Sequence, residues 1–378
     1  MNEQIYTNYR LQLPDQEIIG TLVVRDGKIA DIQSGIVNIG QDGQGQYLMP
    51  GLIELHTDNL EKCMSPRPAV KWPLAAAVSY HDRDLISSGI TTVCDAIAIG
   101  DIKPNSVRAK RFGEMIEAIT EGQKNSRLLT NHRLHLRCEI SFENIYNAAA
   151  KYANNPLLSL ISLMDHTPGQ RQFVSVDKYK EYYMGRYGIS EVEMDKFIIY
   201  RQETQQQYAP KNRQVLVELA KQNGISLASH DDATVNHVQE AIENGVVLAE
   251  FPTTLEAAKE AHNSGLQVLM GAPNLVLGGS HSGNISAMEL VEQNLVDVIS
   301  SDYVPHSLLQ SIFIISQKTG KPLYESMKLV TINPAKTINL SHDRGSLEIG
   351  KRADLIMVHD DGIVPHLTSV IIDGNRVG

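Results

Sequence analysis

Histidine and carboxylate side chains stand at the ends of apolar segments throughout the middle of this sequence. Eight short apolar runs, rich in β-branched residues, lie between residues 49 and 303, and nearly every one ends in such side chains: His56 and Asp58, Asp95, Glu139, His166, His230, Glu250 and Asp302. Imidazole nitrogens and carboxylate oxygens together form the ligand set of Zn²⁺, Mn²⁺ and Fe²⁺. The pattern predicts a site for one or two divalent metal ions, with zinc as the favoured metal and manganese, iron or magnesium as alternatives.

The first and third runs carry the sharpest candidates. The spacing of two between His56 and Asp58 puts both side chains on one face of a strand, although such a triplet alone also fits a capped turn. Glu139 has apolar neighbours on both sides, where an unpaired carboxylate is costly. Glu139 could therefore bridge two metal ions, or it could pair with Arg137 on the same face.

His166, His230 and Asp302 complete the predicted ligand set. Each of the two histidines ends an apolar run, and a satisfied core histidine is the structural alternative. Asp302 follows the eighth run, where it could ligate a metal and accept a proton from the nucleophile, or simply cap the next helix. We therefore expect Asp302 and Glu139 to be catalytic. Histidines without comparable context, such as His81, His132 and His135, are expected to be structural or exposed.

Other residues have the chemistry of substrate contacts. A glycine-rich stretch after the seventh run could bind phosphate through backbone amides, unless it is only a flexible turn. A basic, proline-stiffened loop could bind phosphate oxygens, unless it is only a solvated surface. Arg137 and the end of the sixth run add further polar groups. The predicted substrate-binding residues are Arg67, Lys71, Arg137, Glu250, Thr253, Gly279, Ser280, His281, Ser282 and Asn284.

The elements that position these residues follow a repeated order. Amphipathic stretches end in a small or amide residue plus glycine, and an apolar run follows at once, as at Ser88-Gly89, Asn223-Gly224, Asn244-Gly245 and Ser264-Gly265. Glycine past a helix end supplies the left-handed cap, and uninterrupted apolar runs are typical of buried parallel strands. Eight such units predict an α/β fold with a (β/α)8 TIM-type barrel. An open doubly wound sheet is the alternative, but no glycine-rich dinucleotide loop favours it.

Both ends of the chain have a different pattern, with short strands separated by Asp-Gly turns. We expect a small β-sandwich domain built from residues 1–49 and 338–378, and a metal-dependent hydrolase barrel over residues 50–337. The long polar stretch 170–213, rich in tyrosine and basic residues, interrupts the barrel repeat. Segments of this length are often functional, and it is a candidate lid.

Composition excludes several classes of protein. The net charge of −10 argues against nucleic-acid binding, which needs a basic surface. Three scattered cysteines are too few for a disulfide framework. No apolar run approaches the roughly 20 residues of a membrane span, and the N-terminus lacks the pattern of a signal peptide. The sequence therefore predicts a cytoplasmic protein that binds a small molecule and neither nucleic acid nor membrane.

The motifs together resemble the amidohydrolase superfamily over essentially the whole chain. MPGLIELHTD (Met49–Asp58) is similar to its first-strand signature, and Thr331–Ala335 with Gly345–Asp354 to its return into a small sheet domain. The His-x-Asp pair and a glutamate on the third strand resemble the branch in which glutamate replaces a carboxylated lysine as metal bridge. The resemblance implies that His56, Asp58 and Glu139 hold one metal, and Glu139, His166 and His230 another.

Longer stretches resemble a diphosphatase branch that serves the carbon–phosphorus lyase pathway of phosphonate use. They include HTDNLEK (His56–Lys62), DHTPGQRQF (Asp165–Phe173), GGSHSGN (Gly278–Asn284) and SSDYVP (Ser300–Pro305). This resemblance implies hydrolysis of a ribose 1-methylphosphonate 5-triphosphate to the 5-phosphate and pyrophosphate. Because amidohydrolase barrels commonly associate as dimers, a homodimer is expected. The chain departs from the branch at Cys63 and Leu277, beside expected substrate loops. Fold and ligands do not fix a substrate, so hydrolysis of an amide or cyclic amide is the alternative, and a catalytically inactive scaffold is another.

Overall fold

The computed structural model describes residues 3–67, 70–100, 107–171, 176, 179–180, 184, 190–280 and 283–378. The strands, numbered in chain order, are β1 Glu3–Gln12, β2 Glu17–Arg25, β3 Lys28–Ser34, β4 Gln41–Asp42, β5 Tyr47–Pro50, β6 Leu52–Thr57, β7 Ile90–Ile99, β8 Asn131–Glu139, β9 Leu158–Met164, β10 Ser226–His230, β11 Leu248–Glu250, β12 Gln267–Gly271, β13 Val298–Ser300, β14 Leu355–Asp360, β15 Pro365–Ile372 and β16 Asn375–Arg376.

The helices, also numbered in chain order, connect these strands. They are α1 Asn59–Met64, α2 Leu74–Ser87, α3 Val107–Lys124, α4 Ile145–Ala150, α5 Glu191–Asn223, α6 Val235–Glu243, α7 Leu255–Asn263, α8 Ala272–Leu277, α9 Ala287–Glu292, α10 Ser307–Thr319, α11 Leu323–Met327 and α12 Ile332–Thr337, with a 3₁₀ turn at Lys328–Val330.

Strands β6 to β13 form one sheet in which they follow each other in chain order. The pairings are parallel, and a parallel bridge between Thr57 and Asp302 joins the first strand to the segment after the last. Nearly all residues of these strands are buried, as expected for strands covered on both faces. The predicted (β/α)8 barrel is confirmed, and each of the eight predicted apolar runs supplies one of its strands.

The first predicted run is shared between two sheets. Met49 and Pro50 end β5, whereas Leu52 begins β6. Gly51 stands between them, and a Cβ at this position would meet the Thr91 hydroxyl oxygen at 2.2 Å. Only glycine lets the chain cross so close to β7, and the two sheets diverge at this residue.

The second sheet combines both ends of the chain. Its strands are ordered β16-β15-β14-β5-β1-β2-β3, with β4 paired to β1, and the pairings are antiparallel except those of β1 with β4 and β5. The turn between β2 and β3 has positive φ at Asp26 (49°) and Gly27 (78°), as a two-residue hairpin with matching twist requires. Leu11, Leu22 and Leu355 lie in its fully buried core.

The longest helix, α5, occupies part of the stretch predicted as a lid. Ser190 and Glu193 form a reciprocal capping box at its start, and Gly224, with a φ of 64°, caps its end. The predicted helix end at Asn223-Gly224 is confirmed. Residues 172–175, 177–178, 181–183 and 185–189 of the predicted lid lie outside the described residues, so lid closure stays a prediction.

The chain divides into two compact units by its internal contacts. The first unit comprises residues 1–95, 117–133 and 270–378, and the second comprises residues 96–116 and 134–269. Each unit contributes strands to the barrel sheet. Among the residues that the structure describes, no helix combines the length and apolar character needed to cross a bilayer.

Candidate metal centre

In the second unit, two histidines at strand ends are each held by a glutamate. His166 Nδ1 lies 2.7 Å from Glu139 Oε2, and His230 Nδ1 lies 3.1 Å from Glu250 Oε2. A carboxylate accepts the hydrogen bond, so Nδ1 donates in both rings and Nε2 carries the lone pair. Metal-binding histidines are fixed in this way by a carboxylate behind them.

The two Nε2 atoms approach a third group, Asp231. Asp231 Oδ2 lies 3.9 Å from His166 Nε2 and 3.5 Å from His230 Nε2, and the three ligand atoms lie within 4.8 Å of one another. Asp231 is 6% exposed, yet its Oδ2 has no hydrogen-bond partner among the residues that the structure describes. Two imidazole nitrogens and an orphaned buried carboxylate oxygen fit a divalent cation.

Burial and neighbouring charges tune these groups. Burial would raise the pKa of Glu139, but the hydrogen bond and charge of His166, with the charge of Arg201, outweigh it and lower the pKa to about 2. Burial lowers the pKa of His230, against the opposing effect of Asp231. The carboxylate is therefore ionised and the imidazole is neutral near pH 7, the protonation states that a metal site requires.

The backbone turns sharply where these strands end. Asp231 has a φ of 57° and Phe251, which follows Glu250, has a φ of 53°. Both residues still extend the parallel ladder, because Asp231 N donates to Glu250 O and Phe251 N donates to Leu269 O. Non-glycine residues with positive φ carry strain that often marks functional positions. Here the turn places the Asp231 carboxylate beside the His230 ring.

Further side chains hold the two glutamates. Glu139 Oε1 accepts from Ser141 at 2.8 Å and from Arg201 of α5 at 3.2 Å. Glu250 Oε2 accepts from Ser162 at 2.6 Å, and His135 contacts the same Ser162 hydroxyl. Both carboxylates are at least 98% buried. Glu139 pairs with Arg201. Arg137, the alternative partner considered from the sequence, has a buried Nε without a hydrogen-bond partner among the described residues.

In the first unit, three predicted residues meet where β6 and β13 end. The Asp58 backbone N–H donates to Asp302 O at 3.1 Å, and Ser300 Oγ donates to His56 O at 2.6 Å. The fully buried Glu54 accepts from the Ser300 hydroxyl and from Ser301 N. Burial raises the pKa of Glu54. The strand ends carrying His56, Asp58 and Asp302 are thus fixed to one another, and Asp302 has a positive φ of 53°.

The predicted substrate residues lie mainly on connecting segments. Arg67 and Lys71 are exposed on the segment between α1 and α2. Helix α8 lies between the seventh barrel strand and the glycine-rich stretch, which contains Gly279, Ser280 and Asn284. Within this stretch, Asn284 N donates to Ser280 Oγ. Thr253 N donates to Asp232 O, which joins the segments after β10 and β11. His281 and Ser282 lie outside the described residues.

A second histidine–carboxylate cluster lies in the first unit. Asp95 accepts from His81 Nε2 at 2.6 Å and from His132 Nδ1 at 2.7 Å. His132 Nε2 lies 3.2 Å from Asp82 Oδ1, and Asn59 Nδ2 lies 3.3 Å from His81 Nδ1. All four titratable groups are at most 1% exposed. Every ring nitrogen already has a partner, so the cluster leaves no lone pair for a metal ion.

Sequence reasoning missed Asp231 and Arg201. Asp231 adjoins His230 in the SHDDAT stretch (Ser229–Thr234), where an aspartate also fits a loop before a helix. Arg201 lies 62 residues from Glu139 in the chain, and no local spacing links the two. The SHDDAT signal was present in the sequence, whereas the role of Arg201 depends on where α5 packs.

Comparison with known proteins agrees with this architecture. Residues 199–377 match the family model described as the amidohydrolase family. The α-D-ribose 1-methylphosphonate 5-triphosphate diphosphatase of Escherichia coli K12 is 45% identical over 378 residues, covering 99% of this chain and 100% of that protein. N-acetylglucosamine-6-phosphate deacetylase from Pasteurella multocida superimposes with a TM-score of 0.64 at 14% identity, and a Xaa-Pro dipeptidase with 0.68 at 14%, each over 100% of both chains. The two structures share the fold alone.

Proposed function

The chain belongs to the amidohydrolase family, in the group of the α-D-ribose 1-methylphosphonate 5-triphosphate diphosphatases, and from this premise we propose that it hydrolyses that triphosphate to the 5-phosphate and pyrophosphate. The observation that carries the proposal is the similarity over the full length of both chains. The site is compatible, since it offers metal-type ligands at the ends of barrel strands, where enzymes of this fold perform catalysis.

We assign the metal ligands to His56, Asp58, Glu139, His166, His230 and Asp302, with Asp231 as an additional ligand. A metal ion at His166 and His230 is supported by two observations. Asp231 Oδ2 has no hydrogen-bond partner among the described residues, and the Nε2 atoms of both histidines lie close to it. One or two divalent ions would be held, with zinc favoured by nitrogen and carboxylate ligands. A bound divalent metal supplies Lewis acidity, which polarises a phosphoryl oxygen and acidifies water at neutral pH.

The protein's own residues then orient the reaction. Asp302 accepts the proton of the attacking water, and its segment is anchored for this role by Asp58 N and by the bridge to Thr57. Attack falls on the α-phosphorus, so pyrophosphate leaves. Arg67, Lys71 and the stretch containing Gly279, Ser280, His281, Ser282 and Asn284 neutralise the leaving group, while Arg137, Glu250 and Thr253 complete the substrate contacts.

Hydrolysis in ¹⁸O-labelled water tests the position of attack. With attack on the α-phosphorus, the label enters the ribose 5-phosphate and the pyrophosphate stays unlabelled. Mass spectrometry of both products measures the distribution, with the unlabelled reaction as reference. Label in pyrophosphate would disprove attack on the α-phosphorus, although it would leave the diphosphatase activity intact.

Amide hydrolysis by the same centre is not favoured, because the full-length relative is a diphosphatase. Assays for pyrophosphate and for ammonia or free acid, run on the same metal-loaded protein, separate the two activities. We also propose that the enzyme is a homodimer, which light scattering at several protein concentrations would measure.

A further inference from the structure

Arg201 is a buried cation beside the metal centre. It lies on α5, is 4% exposed, and its Nη2 donates to Glu139 Oε1 at 3.2 Å. Its Nε is buried and has no hydrogen-bond partner in the part of the chain that the structure describes. An arginine presents five donors, and a buried donor without an acceptor is rare in native proteins. The guanidinium therefore presents a donor that the described residues leave unused.

The fold does not need Arg201 to dock α5. Asn212, three turns further on, donates to the carbonyls of Ile140 and Phe142 at 2.8 and 2.9 Å. Gln205, one turn beyond Arg201, donates to Asp165 Oδ2 at 3.0 Å, and Arg213 pairs with Glu240 at 2.6 Å. These contacts hold one face of α5 on the segments that follow β8, β9 and β10. Arg201 is thus placed by its neighbours and is available for another role.

The charge of Arg201 also needs an explanation. A guanidinium beside Glu139 and His166 repels a metal cation held by the same residues. The Glu139 carboxylate, which pairs with Arg201, offsets part of this repulsion, and an anionic group bound at the site would offset more of it. Arg137, two residues before Glu139 on the same strand face, likewise has a buried Nε for which the described residues offer no hydrogen-bond partner. Two guanidinium groups with unused donors in one unit point to a phosphoryl group.

We propose that Arg201, with Arg137, binds the α-phosphoryl group of the substrate and stabilises the charge that develops on it during attack. The assignment rests on the proposed function, in which Glu139 and His166 lie where water is activated. The attacked phosphorus must be about 3–3.5 Å from the attacking oxygen. A guanidinium in contact with Glu139 is therefore close enough to reach the oxygens of that phosphorus, whereas the exposed Arg67 and Lys71 serve the leaving pyrophosphate.

The test compares two probes, ribose 5-phosphate and pyrophosphate, by calorimetry on zinc-loaded protein. Arg201→Gln should weaken ribose 5-phosphate binding at least about tenfold, because a charge-assisted contact is lost, and change pyrophosphate binding less than about twofold. Its kcat on the triphosphate should fall about 100-fold or more with little change in KM, as for loss of a group that acts in the transition state. Unchanged ribose 5-phosphate affinity in Arg201→Gln overturns the proposal.

Two further variants separate binding from folding. Arg201→Lys keeps the charge but loses the planar fork, so kcat should fall at least about tenfold; full activity would overturn the proposal. Arg213→Gln removes another ion pair of α5 and should leave both affinities and the zinc content unchanged. If it weakens ribose 5-phosphate binding as Arg201→Gln does, the effect reflects helix docking and the proposal fails. Absence of pyrophosphate release by the wild type would instead contradict the proposed function, while the binding comparison still decides the role of Arg201.

Discussion

Among the described residues, two histidine–carboxylate clusters have similar composition and different chemistry. One contains His166, His230 and Asp231, and the other contains His81, Asp95 and His132; in each, the three ligand atoms lie within 4.8 Å of one another. In the first, the Asp231 oxygen lacks a partner and both Nε2 atoms lie 3.5 Å or more from it. In the second, each ring nitrogen has a partner within 3.3 Å.

The difference shows that residue types alone do not identify a metal site. A metal site requires lone pairs that the protein does not use itself. It also requires carboxylates that accept a hydrogen bond from the other ring nitrogen and so fix the orientation of each imidazole. Glu250 does this for His230, whereas Glu139, which contacts His166, is itself assigned as a ligand. In the second cluster every ring nitrogen already has a hydrogen-bond partner, and the cluster connects Asn59 of α1 and the middle of α2 to β7 and β8. We interpret it as a structural network.

The cluster of His166, His230 and Asp231 is called the open cluster here, because its ring Nε2 atoms remain available to a metal ion. The largest effect should follow removal of one of its imidazoles. His166→Asn is expected to lose bound metal and to lower kcat by about 1,000-fold, because metal ions supply several kcal/mol of transition-state stabilisation. Metal analysis and steady-state kinetics measure this, with His359→Asn, an exposed histidine of β14, as control. Full metal content in His166→Asn would refute the assignment.

Disruption of the closed cluster, which consists of His81, Asp95 and His132, should instead lower the stability of the fold. His132→Leu leaves two buried aspartates without their shared partner and should lower the free energy of unfolding by about 3–5 kcal/mol. Urea denaturation measures the loss. Metal content per folded molecule should stay at the wild-type value, and Asp95→Asn combined with His132→Gln should recover part of the stability. Loss of metal at unchanged stability would show that this cluster is the metal site after all.

The sequence alone could predict a cluster residue when its signal lies in neighbouring residues, but not when its contacts join distant parts of the chain. The strand ends carrying His166 and His230 were predictable because glycine caps and apolar runs are local signals. Asp82, Asp95 and His132 come from α2, β7 and β8, and their contacts arise only when those elements pack. Histidines 81 and 132 could therefore be assigned a structural role from the sequence, but their shared aspartate could not be identified.

The site was predictable to a similar extent. His56, Asp58, Glu139 and Asp302 follow from strand ends, whereas Arg201 belongs to a polar helix with no signal of its own. Asp231 stands in the SHDDAT stretch, but the sequence does not show the positive φ that turns its carboxylate toward His230 while its N–H extends the ladder to Glu250. Such backbone strain depends on neighbouring strands and has no sequence pattern.

A smaller effect is expected from the carboxylate behind His230. Glu250→Gln keeps the shape but weakens the fixation of the imidazole, and it should lower metal affinity about 10–100-fold. Competition with a chromogenic chelator measures the affinity. Glu243→Gln, an exposed glutamate of the same unit, serves as control. Equal metal affinities in the two variants would mean that Glu250 does not support a ligand.

The smallest effect concerns pH and the closed cluster. Burial opposes protonation of His132, but the charges and hydrogen bonds of Asp95 and Asp82 raise its pKa to about 9. A raised pKa contributes stability that is complete below the unfolded value of about 6.5 and is lost as pH rises through 9. The wild type should therefore lose more thermal stability between pH 6.5 and 9 than His132→Gln does. If the melting temperatures of the wild type and of His132→Gln change with pH by the same amount, His132 is not charged in the folded protein.

The central claim is that a metal held by the open cluster drives release of pyrophosphate. The direct measurement is ³¹P NMR of the ribose 1-methylphosphonate 5-triphosphate incubated with purified enzyme, before chelation, after chelation, and after zinc is restored. We expect pyrophosphate and the 5-phosphate in equal amounts, no reaction after chelation, and recovery with zinc. Release of orthophosphate, or pyrophosphate release that persists in metal-free protein, would contradict the account.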